Sequence, residues 1–190
     1  MSSTAPKTEL TADDLLSIPD GDHYELIDGE LVERQMGSVS SWIAGRVILL
    51  NGTFAEEHEL GWVWPADAGY HCFSDSPDKV RKPDVSFIRR GRLPDERPST
   101  GFETIAPDLV VEVISPHDLF YRVDEKVEDF LQTGTRLVWV VNSPTRTVTI
   151  HRCDGSTARR REDEELYGED VLPGFRCRAS EIFLPPVKVG

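Results

Sequence analysis

The sequence predicts a single α/β (α+β) domain in which helices flank one mixed β-sheet. The predicted elements follow the order helix, strands, helix, strands, without an internal repeat. Residues 109–114, LVVEVI, are apolar at almost every position, which is typical of a central strand covered on both faces. The length of 190 residues and the hydrophobic content of 38% suffice for one hydrophobic core. We therefore assign residues 10–190 to one domain, preceded by a flexible N-terminus at residues 1–9.

A short helix and a β-hairpin are predicted to open the domain. Thr11 and Asp14 have the spacing of a capping box, in which the two side chains accept hydrogen bonds from free N–H groups at a helix start. Asp28-Gly29 lies between two segments with apolar residues, 24–27 and 31–34. Asp-Gly in such a position is a strong signal of a tight hairpin turn.

Longer elements follow the hairpin. A helix is predicted to begin near Ser38 or Ser40, although Gly45 and Gly52 each lower its propensity by about 1 kcal/mol relative to alanine. One face of this helix would carry Ile43, Val47, Leu50 and Phe54. The remaining predicted elements are strands at 61–73, 81–88 and 109–114, a helix at 123–132, and a hairpin formed by 137–141 and 147–151.

Composition and charge limit the classes of function. The formal net charge of −13 makes tight, non-specific binding of DNA through its phosphates a less favoured expectation. No apolar run approaches the roughly 20 residues that a membrane-spanning helix needs. The N-terminus lacks the basic start and apolar stretch of a signal peptide, so we expect a cytoplasmic protein. The three cysteines lie far apart, which argues against a disulfide framework or a zinc cage.

Glu112 is the first candidate for chemistry, because it lies inside the most apolar strand. Alternate residues of a strand face the same side, so Glu112 would lie among buried aliphatic side chains. A glutamate is almost never fully buried unless it is paired, protonated or bound to a cation. It is therefore either a site residue or half of a structural salt bridge with an arginine.

Asp84 is the second candidate because of its position relative to Glu112. It follows Pro83 at a predicted strand start, and the 28 positions between the two acids (112 − 84) allow neighbouring antiparallel strands. On its own it would be an ordinary strand-end residue. Two carboxylates that converge repel each other unless a cation neutralises them, and hard oxygen ligands favour Mg²⁺ or Mn²⁺.

Lys126 is the third candidate. It lies three positions after Val123 and four before Phe130, at the border of an apolar helix stripe. It could extend its ammonium group into water, or it could point at the two carboxylates, where it would orient the attacking water or stabilise charge in the transition state. In the second case Lys126→Met should lower activity by about 10²–10³-fold. Because only the charge is removed, little effect on folding is expected from the sequence.

Five segments together resemble the Uma-two family of bacterial putative restriction endonucleases, a branch of the PD-(D/E)XK nuclease superfamily. The segments are YELIDGELV, RKPDVSF, APDLVVEVISP, DEKVEDFLQTG and LVWVVNSP, and they span roughly residues 20–155 in the family's order. The resemblance implies a restriction-endonuclease-like core with a Mg²⁺ or Mn²⁺ site at one edge of the sheet, nucleic acid (most often DNA) as substrate, and a homodimer.

The resemblance also assigns residues. Pro83-Asp84 matches the first acid of the superfamily motif and Glu112 the second, which makes Asp84 and Glu112 the metal ligands. The usual lysine two positions later is replaced by Ile114, and Lys126 on the following helix matches its role. Glu25 and Asp108 also match the family pattern and are candidates for supporting the ligands, or for purely structural roles.

Two functions are compatible with these residues. The first is a metal-dependent endonuclease or phosphodiesterase that uses Asp84, Glu112 and Lys126 as catalytic residues. The alternative is a non-catalytic binding or dimerisation module on a nuclease-like fold. Family members often carry a histidine near the start of the first core helix, where this chain has GSVSSWIAG. That difference and the acidic charge favour the alternative, whereas the three retained residues favour the enzyme.

Overall fold

The computed structural model describes residues 9–34, 37–115 and 118–185. The predicted flexible N-terminus lies outside these ranges except for Glu9. The helices are α1 (Ala12–Ser17), α2 (Ser38–Glu57) and α3 (Phe120–Gln132). The strands are β1 (Tyr24–Ile27), β2 (Glu30–Glu33), β3 (Gly61–Pro65), β4 (Val85–Arg89), β5 (Leu109–Ile114), β6 (Leu137–Asn142), β7 (Thr147–Arg152), β8 (Thr157–Arg161), β9 (Glu165–Tyr167) and β10 (Arg176–Arg178).

A six-stranded mixed sheet forms the centre of the fold, in the order β3-β4-β5-β6-β7-β8. The pair β5–β6 is parallel and the other neighbouring pairs are antiparallel. A parallel pair needs a crossover connection, and α3 supplies it between β5 and β6. This arrangement agrees with the mixed sheet flanked by helices that the order of elements predicts.

The two faces of the sheet are covered by different helices. Leu109, Val111 and Val113 of β5 belong to one hydrophobic core together with α2 and the C-terminal segment. Val110 belongs to a second core, in which Val127 and Phe130 of α3 are buried. The alternation along β5 places its neighbour Glu112 on the face that α3 covers.

The N-terminal hairpin lies beside the central sheet rather than within it. Strands β1 and β2 form a separate two-stranded sheet around the predicted Asp28-Gly29 turn, where both residues have positive φ, 50° and 73°. An isolated antiparallel bridge between Leu26 and Val80 connects the hairpin to the segment that leads into β4. This bridge brings β1 next to the N-terminal end of β4.

Two predicted strands are shorter than expected. The strand predicted at 61–73 ends at Pro65, where a turn begins. The strand predicted at 81–88 begins only at Val85, because Pro83 has no N–H group and the Lys82 N–H group donates to the Glu25 carboxylate instead of to a strand.

In the part of the chain that the structure describes, no helix is both long enough and apolar enough to cross a membrane.

Candidate functional site

Asp84 and Glu112 meet at the junction of β4 and β5. The antiparallel register pairs Val85 with Val111, so the next pair outward is Asp84 opposite Glu112. Residues opposite each other in an antiparallel pair point to the same face of the sheet. Asp84 Oδ2 also accepts a hydrogen bond of 2.7 Å from the backbone N–H of Val113, which fixes its carboxylate at this position.

Lys126 reaches the same place from α3. Burial of Val127 and Phe130 fixes the rotation of the helix against the sheet, and Lys126 borders this buried stripe. Its Nζ lies 3.0 Å from Glu112 Oε1 and 2.8 Å from Glu25 Oε1, and it donates a 2.7 Å hydrogen bond to the Lys82 carbonyl. The ammonium group is therefore directed at the carboxylates rather than into water.

Glu25 brings a third carboxylate from strand β1. It accepts a 2.7 Å hydrogen bond from the backbone N–H of Lys82 and lies 3.3 Å from Arg81 Nη1. Arg81 also donates a 2.7 Å hydrogen bond from Nε to Asp129 of α3. The guanidinium of Arg81 thus connects the hairpin to α3.

The four ionisable groups have different charge states because their surroundings differ. Burial raises the pKa of Glu112 to about 8; Lys126 opposes this increase, and Asp84 and Glu25 add to it. Burial also raises the pKa of Asp84. Burial alone would raise the pKa of Glu25, but Lys126 and Arg81 hold it below its ordinary value. Burial opposes the charge on Lys126, but its pKa is nevertheless raised by Glu112, Glu25 and Asp84.

The cations around the site therefore compensate its carboxylates to different degrees. Lys126 and Arg81 suffice to keep Glu25 charged, whereas the raised pKa of Glu112 keeps that group protonated at neutral pH. Glu112 Oε1 lies 3.0 Å from Lys126 Nζ, so the ammonium group is the cationic partner of this buried oxygen.

These residues line one pocket of about 310 Å³. Its walls combine five acidic and four basic side chains, namely Glu25, Glu33, Asp84, Glu112 and Asp118 with Arg34, Arg81, Arg122 and Lys126. Arg34 Nη2 lies 3.7 Å from Asp84 Oδ1. Within residues 9–34, 37–115 and 118–185, no group of three or more His, Cys, Asp or Glu side chains is arranged to hold a metal ion. A metal here would thus be held by the pair Asp84 and Glu112, with water or backbone oxygen completing its coordination.

Asp108 lies away from this pocket. It precedes β5 at the end opposite to Glu112, where Oδ2 accepts a 2.9 Å hydrogen bond from the backbone N–H of Arg89 and lies 2.7 Å from Arg92 Nη1. It is absent from the pocket lining. These contacts are those of a strand-start residue, which is one of its two alternatives from the sequence.

Two basic residues of the pocket are not singled out by the sequence patterns. Arg34 follows β2 and Arg81 lies three positions before Asp84, in the RKPD segment. The one feature of the sequence that could have pointed to Arg81 is that it lies next to two further basic residues, Lys79 and Lys82, in a chain that is acidic overall. Near the start of α2, where the family histidine is missing, Ser40 Oγ lies 2.8 Å from the hydroxyl oxygen of a serine at the end of β5, position 115.

Comparisons with known proteins agree on the fold. The family model described as "Uma2: Putative restriction endonuclease" matches residues 12–180. A crystal structure described as a putative nuclease belonging to DUF820 from Anabaena variabilis ATCC 29413 superposes with a TM-score of 0.78 at 20% sequence identity. The superposition covers 92% of this chain and 97% of that one. No curated protein matches the chain in sequence. The predicted restriction-endonuclease-like fold is therefore confirmed, and at this identity the structural match shows the fold alone.

Proposed function

This chain belongs to the Uma2 family of putative restriction endonucleases, and from that premise we propose that it is a metal-dependent endonuclease that hydrolyses phosphodiester bonds of nucleic acid. The observation that supports this most directly is the convergence of Asp84, Glu112 and Lys126 in one pocket, although they come from separate segments of the chain. Family and fold support a nuclease-like function. The metal, the substrate and the residue roles are our proposal.

Asp84 and Glu112 would hold Mg²⁺ or Mn²⁺. Their four carboxylate oxygens are hard donors of the kind these ions prefer, and the strand register places the two side chains opposite each other on the same face of the sheet. When bound, such an ion lowers the pKa of a coordinated water and polarises the phosphate. A cation would also favour the ionised form of Glu112, whose pKa of about 8 reflects burial in the absence of one.

Lys126 would act as a fixed positive charge. Its raised pKa means that it keeps its proton at neutral pH, so it is suited to stabilising negative charge on the phosphate and not to abstracting a proton. Glu25 would hold the ammonium group in position through the 2.8 Å contact, and Arg81 would hold Glu25. We assign Glu25 the role of a positioning residue and Asp108 a structural role outside the site.

The second candidate function is a binding or dimerisation module without catalysis. The missing histidine favours this function. Near the start of α2, where family members often carry that histidine, the structure has a hydrogen bond between the hydroxyl groups of Ser40 and Ser115. The homodimer and the cytoplasmic location that we expect are compatible with either function. A chain that binds Mn²⁺ at Asp84 and Glu112 and yet never cleaves nucleic acid would support this second function.

The test is a cleavage assay with single-stranded and double-stranded DNA and RNA in Mn²⁺, Mg²⁺ or EDTA. We expect cleavage with a divalent ion and none in EDTA, and a loss of at least about 10²-fold in Glu112→Gln and Asp84→Asn. Asp108→Asn is the matched control, because it changes a buried acid beside the same strand, outside the pocket, and keeps a hydrogen-bond acceptor. If Glu112→Gln cuts as fast as the wild-type chain, the proposed site is wrong.

A further inference from the structure

An exposed apolar surface borders the pocket at the first turn of α3. Leu119, which lines the pocket, is 51% exposed, and the next two residues, Phe120 and Tyr121, are 72% and 61% exposed. Phe120 precedes Val123 by three positions and Val127 by seven, so it continues the buried stripe of α3 beyond the core. Three consecutive large side chains exposed at the mouth of a pocket are typical of an interaction site.

The cations near this surface differ in how far they are already neutralised. Arg81 pairs with Glu25 and Asp129, and Lys126 pairs with Glu25 and Glu112. Arg122 is exposed, lines the pocket, and has no ion pair or side-chain hydrogen bond within the described part of the chain. Arg34 makes a 3.7 Å contact with Asp84, longer than a hydrogen bond. Of the basic residues that line the pocket, Arg122 is therefore the one available to an incoming anion.

We propose that the first turn of α3 binds unpaired nucleotides, with bases stacked on Phe120 and Tyr121 and a neighbouring phosphate on Arg122, so that the substrate of this site is single-stranded nucleic acid. This inference rests on the proposed function and specifies its substrate class. Bases of a duplex have their faces covered by stacking, whereas unpaired bases can stack on aromatic side chains. Both deoxyribose and ribose strands offer this chemistry.

The charge of the molecule favours this substrate over a duplex. A protein that holds B-form DNA through its backbone typically makes about 6–10 phosphate contacts. This chain has a net charge of −13, and three of the four basic side chains in the pocket, Arg34, Arg81 and Lys126, are already in ion pairs with acids. Stacking needs no positive charge, so an acidic protein can gain affinity through aromatic contacts while Arg122 neutralises the nearest phosphate.

The test measures binding in EDTA, where cleavage is prevented, with labelled DNA and RNA strands of about 12 nucleotides and their duplexes. We expect the full wild-type chain to bind single strands at least about tenfold more tightly than duplexes. Phe120→Ala and Tyr121→Ala should each weaken single-strand binding by about 5- to 100-fold. Tyr167→Ala is the control, since Tyr167 is an aromatic residue that is 44% exposed and absent from the pocket lining.

Each outcome decides the inference. Tighter binding of duplex, or affinities unchanged in Phe120→Ala and Tyr121→Ala, would overturn the stacking surface and leave the proposed nuclease function standing. If neither form binds while Mn²⁺-dependent cleavage is also absent, the proposed function fails and the inference fails with it. Sedimentation of the same variants measures their oligomeric state. If the wild-type chain is a dimer that dissociates in Phe120→Ala, while the affinity for single strands is unchanged, the inference is wrong and the surface binds a second copy of the chain.

Discussion

Lys126 is the residue on which the charge balance of the pocket depends. Its ammonium group is the shared partner of Glu25 and Glu112, two carboxylates that are almost completely buried. The apolar helix stripe alone suggests that Lys126→Met would change folding little. The contacts of Nζ lead to a different expectation, because methionine would leave the ionised Glu25 carboxylate without its closest cation.

We therefore expect Lys126→Met to lower the free energy of unfolding by about 3–5 kcal/mol at neutral pH, the usual cost of removing one partner of a buried ion pair. Urea unfolding of the metal-free protein measures this change. Lys79→Met is the control, because its partner Asp129 keeps Arg81 and should tolerate the loss at a cost of about 1 kcal/mol. Equal stabilities of the two variants would contradict the shared role of Lys126.

The pH dependence of stability should report Glu112. Burial raises its pKa to about 8 from the ordinary value of 4.5, so the folded metal-free protein keeps a proton that the unfolded chain releases. The stability due to this proton is fully present below pH 4.5 and is lost as pH rises toward 8. The loss is at most about 5 kcal/mol, since each pKa unit corresponds to about 1.4 kcal/mol.

Glu112→Gln isolates this contribution from that of the other acids. Glutamine does not titrate, so unfolding free energies measured in EDTA between pH 4.5 and 8 should fall less steeply in the variant than in the wild-type chain. Identical slopes would mean that Glu112 is ionised in the fold without metal, against the raised pKa.

The sequence is informative about individual site residues when they lie in strongly patterned segments. Glu112 stands out because it interrupts an apolar strand, and Lys126 because it borders an apolar helix stripe. The central place of Glu25 cannot be predicted in detail, because it depends on the bridge between Leu26 and Val80, a contact across 54 positions (80 − 26) that no local pattern encodes.

Among the secondary-structure elements, strands β3 and β4 approach each other so closely at Gly61 that this position has no room for a side chain. Gly61 opens β3 with φ of +155°, and a Cβ atom there would lie 2.2 Å from the Ile88 carbonyl oxygen of β4. Gly45 differs, since it lies in α2 with no atom within 4 Å of the position that a methyl group would occupy. Replacing glycine with alanine should thus lower the stability of the fold at position 61 and raise it at position 45.

Gly61→Ala should destabilise the fold by about 2 kcal/mol or more, because backbone atoms of β4 must shift. Gly45→Ala should stabilise it by about 1 kcal/mol, because alanine has the higher helix propensity. Thermal unfolding of the two variants beside the wild-type chain measures both signs at once. A stabilised Gly61→Ala chain would show that the β3–β4 register is wrong.

Element boundaries are harder to predict than element types. The helix predicted at 123–132 begins three residues earlier in the structure, at Phe120. The sequence pattern does not include this first turn because its aromatic residues are exposed and therefore lie outside the buried part of the stripe. The hairpin is predicted closely, since the turn at Asp28-Gly29 requires positive φ, which this dipeptide accepts readily. Local backbone chemistry is therefore visible in the sequence, whereas burial of a helix end is not.

At the scale of the whole molecule, metal binding and folding should be coupled. If Asp84 and Glu112 hold Mn²⁺, a free ion concentration about 100-fold above Kd adds about 2.7 kcal/mol to the stability. For a chain of this length that corresponds to a rise in Tm of roughly 5–10 °C. The rise should grow between about pH 6 and pH 8, because the ion must displace the proton that Glu112 carries below its pKa of about 8.

Calorimetry with and without Mn²⁺ measures this rise, and Glu112→Gln should abolish most of it. Asp108→Asn, whose carboxyl group contacts Arg89 and Arg92 at the other end of β5, should preserve it. A shift that is the same in all three proteins would place the bound ion elsewhere on this acidic molecule.

The distribution of the pocket residues along the chain has a consequence for protein synthesis. Lys126 follows Glu25 by 101 positions (126 − 25), and Asp84 and Glu112 lie between them. A ribosome that has released only the hairpin, α2 and the strands up to β5 has produced the carboxylates without the ammonium group that compensates them. The proposed site is therefore incomplete in the nascent chain until α3 emerges and packs, so that any cleavage activity begins only after the central crossover has formed.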